Sequence, residues 1–253
     1  MPKLFVVSDV HGFYDEMKAA LDEAGFDENN PEHFLVGCGD YFDRGPDPIK
    51  VMKYLHNLPR KILIRGNHEK LLEDCCIRGE AWSHDIHNGT ADTIWNIGCS
   101  LYHDFAEMCD HALRRTKAFR DSMVNYFETR QYIFVHSWVP TISKDGHPAH
   151  YTRNRVFEYN PDWRNATQEE WDAAMWGNPF DMIDKGLNQT GKTVVFGHWS
   201  TAHKWAEIEG REEFDDNTRF EPYYGDGFIG LDCTTALSHK VGVVVLEDEF
   251  LDG

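Results

Sequence analysis

Five short apolar runs, each followed by polar residues that can bind a metal, constrain the fold of this chain more than any other feature. Continuous apolar runs are typical of strands covered on both faces of a sheet. In open α/β sheets, ligands bind beyond the carboxyl ends of such strands. We therefore expect the residues after these runs to converge on one site. The runs are Leu4–Val7, Phe34–Cys38, Lys61–Ile64, Tyr132–Val135 and Thr193–Phe196.

The residues at the five strand ends combine two carboxylates, several imidazoles and an amide. They are Asp9, His11, Asp40, Asn67, His68, His136 and His198. A single catalytic zinc usually takes three protein ligands, so this set is large enough for two divalent cations that share a carboxylate. Mixed nitrogen and oxygen donors without thiolate favour manganese, iron or zinc over calcium. The alternative, ordinary polar strand ends, explains one such residue more easily than all of them together.

The turn from Gly39 to Gly45 carries two carboxylates and an arginine, Asp40, Asp43 and Arg44. Glycine at each end allows a tight backbone path. An Asp43–Arg44 contact alone could be a plain ion pair. A carboxylate that leaves a buried strand is costly unless a cation meets it, so Asp40 indicates a cation at this turn.

Helical spacing of apolar residues predicts helices over Phe13–Gly25 and Pro46–Leu58. With the flanking strands they form two successive right-handed βαβ units. From Glu69 to about Arg130 the pattern is mostly helical, so we expect an inserted helical region over about 70–130. Neither a repeat nor a linker divides the chain, which predicts one domain over residues 1–253.

Two later segments complete the predicted organisation. Pro140–Asn165 contains proline, glycine and charges without periodicity, so it is predicted to be a long loop. Phe228–Asp232 and Lys240–Leu246 are predicted to be two strands that form a hairpin-like return beside the second sheet.

The composition argues against two classes of binding partner, nucleic acids and membranes. The 253 residues carry a formal net charge of −18 without a lysine–arginine cluster, which argues against binding to nucleic-acid backbones. The same charge repels anionic substrates, so a phosphate site would need local metal and arginine charge. No segment approaches the roughly 18 apolar residues of a membrane span. The N-terminus enters the first strand without a visible signal peptide, so we expect a cytoplasmic protein with six reduced cysteines.

With these motifs aligned, the chain resembles the calcineurin-like metallophosphoesterase superfamily. Asp9-Val10-His11-Gly12, the Gly39–Gly45 turn and Arg65-Gly66-Asn67-His68-Glu69 are most similar to the phosphoprotein phosphatases of bacteria and bacteriophages. With His136 and Gly197-His198, the resemblance covers almost the whole chain. It implies an α/β (α+β) fold of four layers, in which two mixed β-sheets pack face to face and helices flank them.

The resemblance also implies a role for each candidate residue. One metal ion is expected on Asp9, His11 and Asp40, and a second on Asp40, Asn67, His136 and His198, with Asp40 bridging. Manganese is the expected metal, with iron or zinc as alternatives. His68 is expected to protonate the leaving group, while Asp43 fixes its ring and raises its pKa. Arg44 and Arg65 are expected to bind phosphate oxygens.

The substrate remains open between two classes. The leading prediction is hydrolysis of phosphomonoesters, including phosphoserine or phosphothreonine in proteins. Gly197-His198-Trp199 and Leu231-Asp232 are instead more similar to bacterial symmetrical diadenosine tetraphosphatases. The expected partner is therefore a phosphorylated substrate, either a phosphoprotein or a nucleotide.

One departure and one alternative complete the interpretation. Protein phosphatases place an arginine between the last two histidines of the site. After Trp176 this chain has none before His198, so Arg153 and Arg155 are the candidate substitutes. A catalytically silent metal-binding scaffold is the alternative of another class, and the presence of both His68 and Asp43 argues against it.

Overall fold

The structure is a computed structural model that describes residues 1–144 and 156–251, with strands in two sheets and one small ladder. The strands of these residues are β1 (Lys3–Val7), β2 (His33–Gly37), β3 (Lys61–Leu63), β4 (Tyr126–Glu128), β5 (Tyr132–Val135), β6 (Thr141–Ser143), β7 (Phe157–Tyr159), β8 (Thr193–Phe196), β9 (Tyr223–Gly225), β10 (Phe228–Gly230) and β11 (Val243–Glu247). The first sheet has the order β11-β1-β2-β3 and the second the order β4-β5-β8-β10-β9, whereas β6 and β7 pair with each other.

Both sheets are mixed, as expected. In the first, β1, β2 and β3 are parallel and β11 is antiparallel to β1. In the second, β5, β8 and β10 are parallel, and β4 and β9 are antiparallel to their neighbours. The parallel strands direct their carboxyl ends, and the residues that follow them, toward the same side of each sheet.

The helices of the described residues are α1 (Tyr14–Glu23), α2 (Pro48–Asn57), α3 (Asn67–Arg78), α4 (Ser83–Asn88), α5 (Thr90–Gly98), α6 (Phe105–Arg120), α7 (Gln168–Ala174), α8 (Pro179–Asp184), α9 (Thr201–Glu209) and α10 (Thr235–Ser238). Both helices predicted in the first third are present as α1 and α2. Helices α3 to α6 form the predicted inserted region, which ends at Arg120 and is followed by strand β4. None of the helices in the described part of the chain is long and apolar enough to cross a membrane.

Three separate apolar clusters fill the three spaces between four successive layers of helices and sheets. Along β1 the side chains alternate: Leu4 and Val6 pack between the two sheets, whereas Phe5 and Val7 pack against the first helical layer. The second sheet has its own cluster with α7 and α8. Complete burial of such side chains contributes about 1.5–3 kcal/mol each. The predicted four-layer arrangement is therefore confirmed.

The structure corrects two predictions. Strand β10 pairs with β8 and β9 in the second sheet, whereas β11 pairs with β1 in the first, so the predicted hairpin is wrong. The apolar patterns of both strands were visible, but the partner of each strand is set by the tertiary core. The predicted loop Pro140–Asn165 contains the paired strands β6 and β7 and a 3-10 turn at Trp163–Asn165, while residues 145–155 lie outside the described residues. All six cysteines are free thiols, as expected.

Candidate active site

Asp40 lies at the centre of the candidate site. Its Oδ2 is 3.7 Å from His11 Nε2 and 3.8 Å from His68 Nε2, and its Oδ1 is 3.4 Å from His136 Nε2. Two groups of possible metal ligands meet at this carboxylate: His11 with His68, and His136 with His198. Within each group the ligand atoms lie within 4.8 Å of one another. A carboxylate in this place can be shared by two cations.

Asp9 and Asn67 extend the cluster on either side. Asp9 Oδ1 is 3.9 Å from His11 Nε2, and the Asp9 carboxylate accepts hydrogen bonds from Ser8 Oγ at 2.6 Å and from the His198 backbone N–H at 2.9 Å. Asn67 Oδ1 lies 2.8 Å from His136 Nε2 and 3.0 Å from His198 Nδ1. The structure therefore brings together all seven side chains that the five strand ends offered.

Hydrogen bonds outside the cluster orient three histidine rings. Each of His11, His136 and His198 bonds a backbone carbonyl through one ring nitrogen, and a carbonyl can only accept, so the other nitrogen presents its lone pair to the cluster. The carbonyls belong to Phe42 (3.0 Å), Cys38 (2.8 Å) and Trp176, respectively. Burial lowers the pKa of His11 and His136 well below the usual value and that of His198 to about 3. Neutral rings with converging lone pairs are what a cation needs.

The pKa values of the two carboxylates, Asp9 and Asp40, also indicate a cation site. Burial, and next the charge of Asp232, raises the pKa of Asp9 well above its usual value. Burial, and next the charge of Asp9, likewise raises the pKa of Asp40 well above its usual value. Cations between these groups would offset both penalties and hold the carboxylates ionised. The nitrogen and oxygen donors therefore fit two divalent metal ions of the manganese, iron or zinc type.

Backbone strain is concentrated at this cluster. Positive φ angles are uncommon for residues other than glycine and persist where the surroundings enforce them. Among the described residues eight non-glycine residues have positive φ, and six of them are candidate site residues. These six are Asp9 (51°), His11 (48°), Asp40 (59°), Asp43 (71°), Arg44 (67°) and His198 (65°). Positive φ among the described non-glycine residues therefore coincides largely with the candidate site.

Gly197, just after strand β8, has no room for a side chain. A Cβ atom there would lie 1.9 Å from Ser8 Oγ and 2.0 Å from Asp9 Oδ2. Glycine thus lets the end of β8 approach the Asp9 carboxylate closely enough for His198 to donate its backbone hydrogen bond.

His68, Asp43 and Arg44 lie at the edge of the cluster. His68 Nδ1 is 2.7 Å from Asp43 Oδ2, and both residues are buried. Arg44 is exposed, and its guanidinium lies 2.9 Å from His11 Nε2 and 3.2 Å from His68 Nε2. Burial, and next the Arg44 charge, lowers the pKa of His68, while burial raises the pKa of Asp43 to about 7. The expected rise in the His68 pKa is therefore wrong for this arrangement.

Arg65 lies beside the cluster and has acidic partners. Its guanidinium pairs with Glu73 at 2.5 Å and lies 3.7 Å from Asp172. It also lines a small cavity of about 10 Å³ next to His136. Its role in phosphate binding stays a prediction. Arg153 and Arg155 lie outside the described residues.

Asp232 was missed as a site residue because its strand was predicted to pair in a hairpin with the following strand, and its parallel pairing with β8 was not foreseen. Strand β10 runs parallel to β8, so Asp232 follows a sixth strand end on the same side as His198. The side chain is only 8% exposed, and its charge acts on Asp9. The apolar run before it was the signal, since it matches the other five.

Glu69 holds three backbone groups of the site together. Its carboxylate accepts hydrogen bonds from the N–H groups of Asp40 (3.0 Å), Tyr41 (2.8 Å) and Gly66 (2.9 Å). The bond from Gly66 follows the capping-box spacing at the start of α3, which the sequence displays. The two bonds across to the Asp40 turn required the tertiary structure.

Comparison with known proteins identifies the class to which this site belongs. Residues 2–199 match the family model described as calcineurin-like phosphoesterase, so the chain belongs to that family of phosphoester hydrolases. The resemblance seen in the sequence motifs is confirmed.

Two relatives within this family carry the same name. A symmetrical bis(5'-nucleosyl)-tetraphosphatase of Legionella pneumophila (strain Corby) is 31% identical over 209 residues, which cover 82% of this chain and 68% of the relative. Another from Buchnera aphidicola subsp. Schizaphis graminum is 42% identical over 67 residues, 26% of this chain and 24% of the relative. The chain thus spans about a quarter of the length of the first curated relatives it matches.

A solved structure supports the fold alone. The cold-active protein-tyrosine phosphatase of a psychrophile, Shewanella sp., superposes with a TM-score of 0.55 at 16% sequence identity. The superposition covers 98% of this chain and 76% of the other. The two chains therefore share the arrangement of sheets and helices.

Proposed function

We propose that this chain hydrolyses phosphomonoesters with two divalent metal ions, and that phosphoserine or phosphothreonine in proteins is its first candidate substrate. The observation that carries the proposal is the position of Asp40. Its carboxylate is common to two groups of possible metal ligands, one of which includes the histidine of the buried His68–Asp43 pair, and an exposed arginine lies beside them. Such a combination can activate a nucleophile, bind phosphate and protonate a leaving group.

Six of the seven clustered donors, all except His68, divide between the two ions. Asp9, His11 and Asp40 would hold one ion, and Asp40, Asn67, His136 and His198 the other. Manganese is the expected metal, because the donors are imidazole, carboxylate and amide oxygen without thiolate. The two ions, when bound, would supply an activated water and neutralise charge on the phosphoryl oxygens.

Arg44 would bind the phosphate. Its guanidinium now lies against His11 Nε2, the lone pair that a metal ion would use. That nitrogen cannot serve both partners, so metal binding would release the guanidinium toward the phosphate oxygens. Because Arg44 is exposed, it can turn without disturbing the core.

His68 would protonate the leaving group. Its Nδ1 bonds Asp43, so its Nε2 is the atom that faces the reacting centre. Asp43 fixes the ring and stabilises the imidazolium. The movement of Arg44 toward substrate would also remove a nearby positive charge that now lowers the His68 pKa. A positioned general acid contributes about 10²- to 10⁴-fold to the rate.

The first test measures hydrolysis of p-nitrophenyl phosphate by the purified chain with added Mn²⁺ and with EDTA. Metal-dependent turnover that EDTA abolishes is the expected result. Two bound ions with no turnover on any phosphoester would instead support the scaffold alternative.

The second candidate is hydrolysis of dinucleoside polyphosphates, which the Legionella relative favours. A side-by-side assay of kcat/KM on a phosphoserine peptide and on diadenosine tetraphosphate separates the two. A kcat/KM at least about tenfold higher on the peptide, equivalent to about 1.4 kcal/mol in the transition state, supports the first candidate. The reverse preference would replace it with the second.

A further inference from the structure

The inserted helical region contacts the His68–Asp43 pair directly. Thr90 Oγ1, at the start of α5, donates to Asp43 Oδ2 at 2.6 Å, the same oxygen that lies 2.7 Å from His68 Nδ1. The backbone N–H of Asp43 donates to Thr93 Oγ1 at 3.0 Å. Asp43 and Thr90 are fully buried. Two hydroxyl groups of one helix thus fix both the side chain and the backbone of Asp43.

The Thr90 hydroxyl serves Asp43 and not its own helix. Gly89 occupies the N-cap position of α5, which therefore begins without a side-chain cap, and Thr90, the first residue of the helix, directs its hydroxyl to Asp43. Asp43 Oδ1 is buried without a hydrogen-bond partner in the described residues. The two bonds to Oδ2, one from His68 and one from Thr90, therefore orient the carboxylate.

The backbone just before Thr90 packs closely against the turn that carries Asp43. Asp43 and Arg44 both have positive φ, a conformation that neighbouring structure has to maintain. Gly89, between α4 and α5, has φ of 86°, and a Cβ atom on it would lie 2.6 Å from the Arg44 backbone nitrogen. The α4–α5 junction therefore packs backbone against backbone on this turn, which only glycine permits.

We propose that Thr90 is a positioning residue for the general acid: its hydroxyl holds the Asp43 carboxylate so that His68 Nε2 faces the leaving group. The inference rests on the proposed function, specifically on the acid role of His68. It makes the inserted helical region a part of the catalytic apparatus. A purely structural Thr90 would stabilise the fold without affecting the dependence of the rate on the leaving group.

The kinetic test compares Thr90→Val, which removes the hydroxyl at nearly constant volume, with Thr90→Ser, which keeps it. Thr116→Val is the matched control, because Thr116 is buried in α6 of the same inserted region, where its hydroxyl donates to the Ala112 carbonyl at 2.8 Å and accepts from Arg120 Nε at 3.1 Å. With metal saturating, T90V should lower kcat on an alkyl phosphate about tenfold, a fraction of the full effect of a general acid. KM, metal content and the rate on p-nitrophenyl phosphate should stay near wild type. T90S should resemble wild type, and T116V should affect both substrates equally.

A double variant shows whether Thr90 acts through His68. If it does, adding T90V to His68→Asn should cause no further loss on the alkyl phosphate, because residues that act as a unit are not additive. A further loss of about tenfold in that background, or equal losses of T90V on both substrates, would overturn the inference.

A readout without activity separates this inference from the proposed function. In metal-free protein labelled with ¹⁵N-histidine, the Nδ1–H proton of His68 can be assigned by its absence in H68N. T90V should speed exchange of this proton with solvent by about tenfold or more, because opening of the buried bond becomes easier, whereas T116V should not. Unchanged exchange in T90V would overturn the inference. A wild-type chain that hydrolyses no phosphoester would refute only the proposed function, since the exchange rates still decide the role of Thr90.

Discussion

Replacing Asp40 by asparagine tests whether one carboxylate is shared by two metal ions. Asp40 Oδ2 is 3.7 Å from His11 Nε2, and Oδ1 is 3.4 Å from His136 Nε2, so the two oxygens face different ligand groups. Asparagine keeps the shape but removes the charge and turns one oxygen into a donor. Both metal ions should therefore bind more weakly, and not only one of them.

The magnitude follows from the charge that is lost. Opposite unit charges about 4 Å apart attract by about 4 kcal/mol at an effective dielectric constant near 20. Because one carboxylate charge is shared by two ions, we assign half of this value, about 2 kcal/mol, to each ion. A loss of about 2 kcal/mol corresponds to a roughly 30-fold weaker affinity. Substitutions that only misorient a ligand already cost about 10- to 100-fold. We therefore expect at least about 30-fold weaker binding of each ion to D40N.

The assay counts ions after EDTA treatment, reloading with buffered Mn²⁺ and removal of free metal, and titration calorimetry supplies the affinities. Asp248→Asn is the control, because Asp248 is equally buried but accepts the Gln131 backbone N–H instead of facing the cluster. Wild type and D248N should retain two ions per chain and D40N fewer than one. Two ions of unchanged affinity in D40N would refute the shared carboxylate, and loss of one ion alone would assign Asp40 to a single ion.

Three further substitutions test other parts of the site. Arg44→Ala should lower kcat by roughly 10²-fold, about 3 kcal/mol of transition-state stabilisation, with metal content unchanged; wild-type kinetics would leave Arg44 without a role in phosphate binding. Glu69→Gln should destabilise the fold by about 2–3 kcal/mol, because a charged acceptor of three backbone N–H groups becomes neutral; an unchanged denaturation midpoint would contradict this. Gly197→Ala should bind fewer metal ions and lose about 1–3 kcal/mol of stability, since its Cβ would lie 2.0 Å from Asp9 Oδ2; full metal content would show that the neighbouring side chains can move aside.

The residues after strand ends could be predicted because the relevant pattern is local. An apolar run such as Leu4–Val7 displays its burial on both faces within a few residues, and parallel strands end on one side of a sheet. Asp9, Asp40 and His136 could therefore be brought together without knowing the order of the strands.

The parts that were missed depend on contacts between distant segments. Strand β11 pairs with β1 across more than 230 residues of chain, and its pattern also fitted a hairpin with β10. That wrong pairing concealed Asp232. Thr90 contacts Asp43 from 47 residues away, through a helix that was predicted only as part of the inserted helical region. Neither contact has a signature in the spacing of residues.

The donor set also explains how an acidic chain can act on an anionic substrate. With a formal charge of −18, the chain repels phosphate at long range. The three imidazoles assigned to the metal ions, those of His11, His136 and His198, have lowered pKa values and add no charge of their own. Two divalent ions and Arg44 would offset the buried carboxylates of Asp9, Asp40, Asp43, Glu69 and Asp232 and would place positive charge at the point where phosphate binds. Because the Debye length at physiological ionic strength is about 8 Å, this local charge would govern the last step of binding, so substrate affinity should depend on metal occupancy.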